Sequence, residues 1–405
     1  LNNNSNYFDV IVIGGGMSGA FAINKMAKLK SDSKIALMEF GRPPLKRRRQ
    51  LEGFLGCWPN SDGKLFLNDV DKITELCGVR KTTTAYNHSL LMLNDILENA
   101  KTIKTDKPQK SLLNKLGKHY TITYNNYIQS FPKDIHLFSK KSASIMEKFE
   151  NLVEFFDNEV YDIYKEKKQF VLETDRGTFY AAKVVLATGR SAWRWNSKIY
   201  EKFGLITENN VAKYGVRLEI ANSFMTEWNN SCLTLDSEDL EIGPFMWNGT
   251  IIPEDHLDLA ICAFRSNEKR WETENVSFSF IKKIQKANAW EEIDRIGRLT
   301  FLLANDRLIK EKVSLIMSDK SKLSIIPQFN WLKTELEKFS EFCPDLLDKG
   351  YLHFPEIQPM PAKINVSKTF ETDLDGLFVC GEAAGLSGLL AASITGTIVG
   401  ESVLK

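Results

Sequence analysis

The chain has 405 residues, more than one small core needs, which predicts two interleaved domains. With 43% hydrophobic and 26% charged residues and a formal net charge of +1, it reads as an ordinary globular protein with no global field for nucleic acid or an anionic membrane. The 6 cysteines (Cys57, Cys77, Cys232, Cys262, Cys343 and Cys380) are scattered and form no C-x-x-C, which argues against a disulfide framework or a zinc site and suits a reducing compartment.

The polar start, "LNNNSN", has neither a basic n-region nor an apolar h-region, so a cytoplasmic location is expected. "FDVIVI" is a short, largely β-branched run that predicts a buried parallel strand. Glycines follow, then "MSGAFAINKMAKLK" at helical spacing and "KIALMEF" as a second strand, which completes a βαβ unit. "GRPPLKRRRQLEGFLGCWPNSDGKL" is turn-rich, and residues 64–115 read as helical or irregular. Further strands are predicted near Val160, at Phe170–Thr174 and at Lys183–Ala187, with a turn at Asp175, Arg176 and Gly177. Between about 200 and 350 the pattern predicts strands at Tyr214–Ile220 and Leu257–Phe264. Amphipathic helices are predicted there at Phe280–Arg295, Trp290–Asn305 and Trp331–Phe342. The end returns to strand and helix, "GLFVCGE" and then "GLSGLLAASITGTIVGESVLK". Its segment from Gly385 to Gly400 comes nearest to a membrane span, but Ser, Thr and Gly interrupt it.

Gly14, Gly16 and Gly19 stand in G-x-G-x-x-G spacing between the first strand and the first helix. The first permits a tight turn, the second lets the backbone approach a pyrophosphate, and the third lets helix and strand pack closely. The helix N-terminus offers free N–H groups and partial positive charge to phosphates. Glu39 ends the second strand, where its carboxylate suits the ribose hydroxyls of an adenosine. This arrangement predicts dinucleotide binding but does not separate NAD from FAD; the alternative is a plain strand–turn–helix.

The distal motif "GLFVCGEAAGLSGLL" places Glu382 after Gly381 and before a helix of small residues. An acid there can bond a ribityl hydroxyl, and the helix can aim its amides at the flavin edge that becomes anionic on reduction. Ala383, Ala384 and Gly385 leave room for a ring. "VVLATGR" (Val184–Arg190) resembles the A-T-G turn of glutathione-reductase-type flavoproteins. Together the three motifs resemble that superfamily over about half the chain. Within it, "SDGKL", "GRSAW", "YGVRLE", "FPEI" and "GEAAG" are similar, in order, to motifs of the uncharacterised FAD-dependent dehydrogenase family.

The resemblance implies an α/β chain with a Rossmann-like FAD/NAD(P)-binding fold and a second α+β substrate or cap domain. The FAD domain is expected at 1–200 and 351–405 and the cap at 201–350. Expected cofactor contacts are Gly14, Gly16, Met17, Ser18, Gly19, Glu39, Arg47, Val160, Ala187, Thr188, Gly189, Gly381, Glu382, Gly388 and Leu389. FAD is the expected cofactor, and no metal is expected. The expected reaction passes a hydride between a small organic substrate and flavin N5. Two alternatives are a monooxygenase reduced by NAD(P)H as a transient partner and an accessory FAD-binding protein in a complex.

The chain departs from the family pattern at Cys57, Trp58 and Pro59, which stand in small-residue positions and would reshape the space beside the flavin, and in "AICAFRSNEKRWETEN". No second G-x-G-x-x-G follows Gly189, and no adjacent cysteine pair supports thiol relay chemistry. Candidate catalytic residues are Lys64, His353 and Glu356. Lys64 could polarise ring or substrate, or be a solvated lysine. His353 could move a proton near neutrality, or be a histidine bonded to backbone. Glu356 is set between Pro355 and Pro359 and could make a polar contact or anchor a loop. Arg217 could bind an anionic substrate group or pair with Glu219 on its own strand face. Cys57 is weighed as a nucleophile against a small buried hydrophobe. Lys46–Arg49 could send one arginine to the pyrophosphate, the rest being solvated loop. Trp193 and Trp195 read as packing groups.

Overall fold

The computed structural model describes residues 6–29, 32–46, 51–67, 70–95, 97, 100–208, 211–256, 259–266, 268–285, 289–304, 308–358 and 363–405. The chain divides into two compact units. The first comprises Leu1–Lys101, Ile128–Asn209 and Pro361–Lys405, and the second Thr102–Tyr127 and Asn210–Met360. Residues 102–127, grouped by sequence with the amino-terminal domain, and residues 351–360 thus belong to the second unit.

The first unit is built on a sheet whose parallel part runs Leu152–Phe155, Ile35–Met38, Tyr7–Ile13, Gly177–Leu186. Alternate residues of the Tyr7–Ile13 strand feed two cores: Val10 and Val12 join one cluster, and Phe8, Ile11 and Ile13 the other. That two-sided burial is why the strand reads as an unbroken apolar run. The strand Gly177–Leu186 shares one edge between two partners. Its first half pairs antiparallel with Gln169–Thr174, and Val184–Leu186 pair parallel with Leu377–Val379. The strand at Val160–Glu166 completes the antiparallel flank. This is the Rossmann-like arrangement expected, with strand ends on both sides of the central Tyr7–Ile13 strand.

Two helices of this unit lie side by side, Met17–Lys28 near the amino end and Leu389–Ser402 near the carboxyl end. A Cβ built on Gly396 would overlap the Ser18 carbonyl, and one on Gly400 would overlap the Ala22 carbonyl. Both contacts advance by four residues, so the helices run parallel at close approach. Among the described residues no helix is long and apolar enough to cross a membrane.

The second unit has a larger sheet around three long strands, Val211–Ala221, Asn275–Gln285 and Tyr351–Gln358, with Ile309–Lys312 beyond the last. One face is apolar: Val216, Leu218, Phe278, Phe280, Leu352 and Phe354 share a core with the helices Ala289–Ala304 and Trp331–Phe339. Of the helix expected at Phe280–Arg295, only Ala289–Arg295 are helical. Residues 275–285 are a strand in eleven-residue antiparallel register with Val211–Ala221, and the helix begins at Ala289. Phe280, Ile281 and Ile284 fit helical spacing, but tertiary pairing decides such short apolar runs. The strand expected from Leu257 is described from Leu259 to Arg265, paired with Thr250–His256.

Candidate functional site

The parallel strands of the first unit deliver the expected dinucleotide residues to one edge of the sheet, at their carboxyl ends. Gly14 follows Ile13, Glu39 follows Met38, Ala187 follows Leu186, and Cys380 and Gly381 follow Val379. The strand order reverses around Tyr7–Ile13, and the crevice beside such a reversal is where open α/β sheets bind ligands.

The three glycines have separable roles. Gly14 has φ +99°, and a Cβ there would lie 2.5 Å from the Ala187 carbonyl oxygen. A Cβ on Gly19 would overlap the Gly14 carbonyl. Gly16 differs: its φ is −63°, and the nearest atom to an added Cβ is the Ala187 oxygen at 3.9 Å. Nothing in the protein's own packing demands glycine there, so the space it leaves is a cradle for something else. The helix beginning at Met17 has no side-chain cap and no acid in its first turn. Among the described residues the amides of Gly16, Met17 and Ser18 have no backbone acceptor. Their N–H groups and the helix dipole are suited to an anion.

Glu39 is buried, and its carboxylate is organised by backbone. Oε2 accepts the Gly15 N–H at 2.6 Å, while Oε1 accepts those of Gly41 at 2.7 Å and Gly53 at 2.8 Å. Of the roughly four acceptor positions on a carboxylate, about one remains for a ribose hydroxyl. The sequence did not single out Gly41 and Gly53, although glycines are the residues that let a loop fold back onto an acid. The Leu55 amide also donates to the Gly15 carbonyl at 2.8 Å, so the same loop closes over the glycine turn.

The carboxyl-terminal motif is held from three sides. The Gly381 amide donates to Thr395 Oγ1 at 2.9 Å, and the buried Tyr200 hydroxyl donates to the Ala383 carbonyl at 2.6 Å. Burial pushes the Tyr200 phenol up, so it stays a donor. Glu382 receives Arg190, with Nη2–Oε1 at 2.9 Å and Nε 3.3 Å from both oxygens. Gly388 caps the helix at Leu389 with φ +98°, again with no side-chain cap and no acid in the first turn. Because Gly396 lies against Ser18, one residue into the amino-terminal helix, this helix starts six residues ahead of that one; at 1.5 Å per residue the axial offset is about 9 Å. Thr188 Oγ1 bonds the buried Asn196 Oδ1 at 2.6 Å, and Gly189 (φ +67°) begins the turn that carries Arg190. Val160 is buried in the core beside this sheet. Arg47 lies outside the described residues, as do the rest of the basic run after Lys46.

These residues fit FAD: an amide-lined cradle beside Gly16, an acid at the adenosine end, and a second bare helix end displaced by about the reach of a ribityl chain.

No family model matches the chain, and no curated protein matches it. Solved structures that it resembles include glycine oxidase from Geobacillus kaustophilus (TM-score 0.48, 14% identity, 98% of this chain and 95% of that one). A p-nitrophenol 4-monooxygenase from Pseudomonas putida DLL-E4 gives 0.43, 12%, 98% and 79%. A flavoprotein/dehydrogenase from Cytophaga hutchinsonii gives 0.44, 13%, 98% and 78%. These likenesses are distant.

The remaining candidates sort by unit. In the first, Lys64 is not a solvated lysine: its Nζ lies 2.8 Å from Asp62 Oδ2, and both side chains are largely buried. Trp58 fills the core instead of reshaping an open space, with its ring 4.7 Å from that of Phe138 and Nε1 donating to Ser130 Oγ. Cys57 beside it is half-buried. Trp193 is buried and Trp195 donates to the Tyr161 carbonyl, as packing groups do.

In the second unit the sheet face opposite the apolar one carries charge. Arg217 reaches across to a neighbouring strand. Its Nε is 3.2 Å from Glu356 Oε2, and its Nη2 is 3.2 Å from Ser279 Oγ. Glu219 instead receives His353 Nε2 at 3.1 Å and Lys310 Nζ at 2.7 Å. His353 therefore meets a carboxylate, not backbone. The four residues Arg217, Glu219, His353 and Glu356 are 5–7% exposed. Burial alone would raise Glu219, but the hydrogen bonds from His353 and Lys310 outweigh it and bring the acid from 4.5 down to about 2. Burial pushes His353 below its ordinary value, and the Glu219 bond offsets this only in part. With Glu219 anionic and His353 neutral, Nε2 carries the proton and Nδ1 the lone pair.

Both shifts make acid destabilising, because the unfolded chain binds protons that the folded one refuses. Stability is expected to fall as pH drops below 6.5 through His353 and more steeply below 4.5 through Glu219. Urea unfolding from pH 8 to pH 3 checks this (~pH values set by the two ordinary pKa values). His353→Gln should flatten the upper part of the decline, and an unchanged upper slope would contradict the assignment.

Proposed function

We propose that the chain is an FAD-dependent oxidoreductase. The observation that carries the reading is the pair of parallel helices whose bare N-termini are offset by about 9 Å along a common direction, with the Gly16 cradle at the nearer one. A nicotinamide dinucleotide uses one such end. A flavin dinucleotide, with a pyrophosphate and a ring that turns anionic on reduction, makes use of both. FAD bound there supplies hydride chemistry at its flavin N5.

The protein's own groups would then act as follows. The amides of Gly16, Met17 and Ser18 bind phosphate, with Ala187 beneath them. Glu39 accepts a ribose hydroxyl, Val160 borders the adenosine side, and Thr188 and Gly189 border the chain leading to the ring. Glu382 accepts from the ribityl chain, and Gly388 and Leu389 offer their amides to the ring edge. Of the proposed catalytic groups, His353 in the second unit offers Nδ1 to a substrate proton, Glu356 in the same unit offers a carboxylate bonded by Arg217, and Lys64 in the first unit supplies a cation fixed by Asp62. A small organic substrate is part of the proposal, as is NAD(P)H as a transient reductant in the monooxygenase variant.

Purified protein should carry flavin absorbance or take up added FAD stoichiometrically, with FMN and NAD binding far more weakly. A colourless protein that ignores added FAD overturns the reading. Anaerobic bleaching of the flavin by candidate substrates then separates a dehydrogenase from an enzyme reduced only by NAD(P)H.

A further inference from the structure

The site contains two acids, and any dinucleotide it binds is itself an anion. Each acid therefore needs compensation from the chain. Glu39 obtains it from three backbone amides. Glu382 has a different source, the guanidinium of Arg190, which reaches across from the turn after Gly189 and contacts both carboxylate oxygens. The two side chains are 39% and 21% exposed. An ion pair with that much solvent contact adds little to stability, so stability does not account for a bidentate link between residues 190 and 382. The link joins the ends of two adjacent parallel strands, Gly177–Leu186 and Leu377–Val379, at the edge where the cofactor residues gather.

We infer that Arg190 is a positioning residue for the cofactor: it aims and neutralises the Glu382 carboxylate so that this acid can stand beside an anionic dinucleotide. The inference rests on the FAD reading above. Without the guanidinium, Glu382 would present an uncompensated negative charge to the cofactor. That charge opposes binding of the oxidised form, and opposes the reduced form more, because reduction places a negative charge on the ring.

The test compares wild-type protein, Arg190→Gln, Arg190→Lys, Glu382→Gln and the double variant Arg190→Gln/Glu382→Gln. The FAD dissociation constant is read by flavin fluorescence and the midpoint potential by dye equilibration, with thermal unfolding of each apoprotein as the control for folding. Arg190→Gln is expected to weaken FAD about tenfold or more and to move the potential to more negative values. Arg190→Lys should recover most of both changes. The double variant should bind FAD more tightly than Arg190→Gln alone, because removing the acid removes the repulsion. A purely structural pair would shift thermal unfolding and leave the potential where it was. If wild-type protein binds FAD and Arg190→Gln has the same affinity and potential, the inference falls while the FAD reading stands. If wild-type protein binds no FAD, both fall.

Discussion

Gly16→Ala is expected to fold normally and to lose FAD. The added methyl group meets no protein atom closer than 3.9 Å, and φ at this position is −63°, so the backbone accepts alanine without strain. Its thermal midpoint should stay within about 2 °C of wild type. The methyl group would occupy the space a phosphate needs in order to reach the amides of Met17 and Ser18, so affinity should fall by about 100-fold or more. Gly19→Ala is the contrast. Its Cβ overlaps the Gly14 carbonyl, where backbone has to move, and a loss of about 3 kcal/mol or more is expected from such overpacking. Thermal unfolding and FAD titration on both variants check the pair. If Gly16→Ala unfolds as readily as Gly19→Ala, or still binds FAD with native affinity, the division of labour among the glycines is wrong.

Glu39→Ala should damage the fold as well as the site. Its carboxylate is the acceptor for three amides, those of Gly15, Gly41 and Gly53. Removing it strands three donors in a buried place, each worth about 1–3 kcal/mol, so a loss of roughly 3–6 kcal/mol in unfolding free energy is expected, after some relaxation and water entry. Glu39→Gln should be intermediate, since one carboxamide position becomes a donor facing donors. Urea denaturation of the apoprotein measures this without any cofactor. An apoprotein of native stability would mean that the amides find other acceptors, and that Glu39 serves only the ligand.

Much of the first unit was legible because its signals are local. The apolar run of Tyr7–Ile13 is continuous because both faces of that strand are covered, and the glycine spacing, Glu39 and the small-residue helix each announce themselves within a few residues. What could not be read there depends on residues distant in sequence. No local pattern links Gly53 to Glu39, Tyr200 to Ala383 or Arg190 to Glu382. Trp58 looked like an intrusion beside the flavin because its neighbours along the chain are small and turn-forming. Its actual neighbours are Phe138 and Ser130.

The second unit was harder for the same reason. The alternation of Arg217 and Glu219 with Val216 and Leu218 shows a strand with one charged face, but not which charges meet. Neighbouring strands decide that: the register sets His353 opposite Arg217, with a shift between Gly215 and Arg217, and the side chains meet diagonally, Glu356 with Arg217 and both His353 and Lys310 with Glu219. The misread helix at Phe280–Arg295 has the same origin, because eleven ladder partners in Val211–Ala221 are invisible from within residues 275–285.

The strand Gly177–Leu186 is left half-finished by its own neighbourhood, since Val184–Leu186 find their outer partner only in Leu377–Val379. On a ribosome adding roughly 5–20 residues per second, that partner emerges about 10–40 s later. Throughout this interval three apolar residues present an unpaired rim, the kind of template on which nascent chains stick to one another. Efficient production of this protein should therefore depend on chaperones that shield that rim during translation, and on slow synthesis at low temperature when it is made in a foreign host.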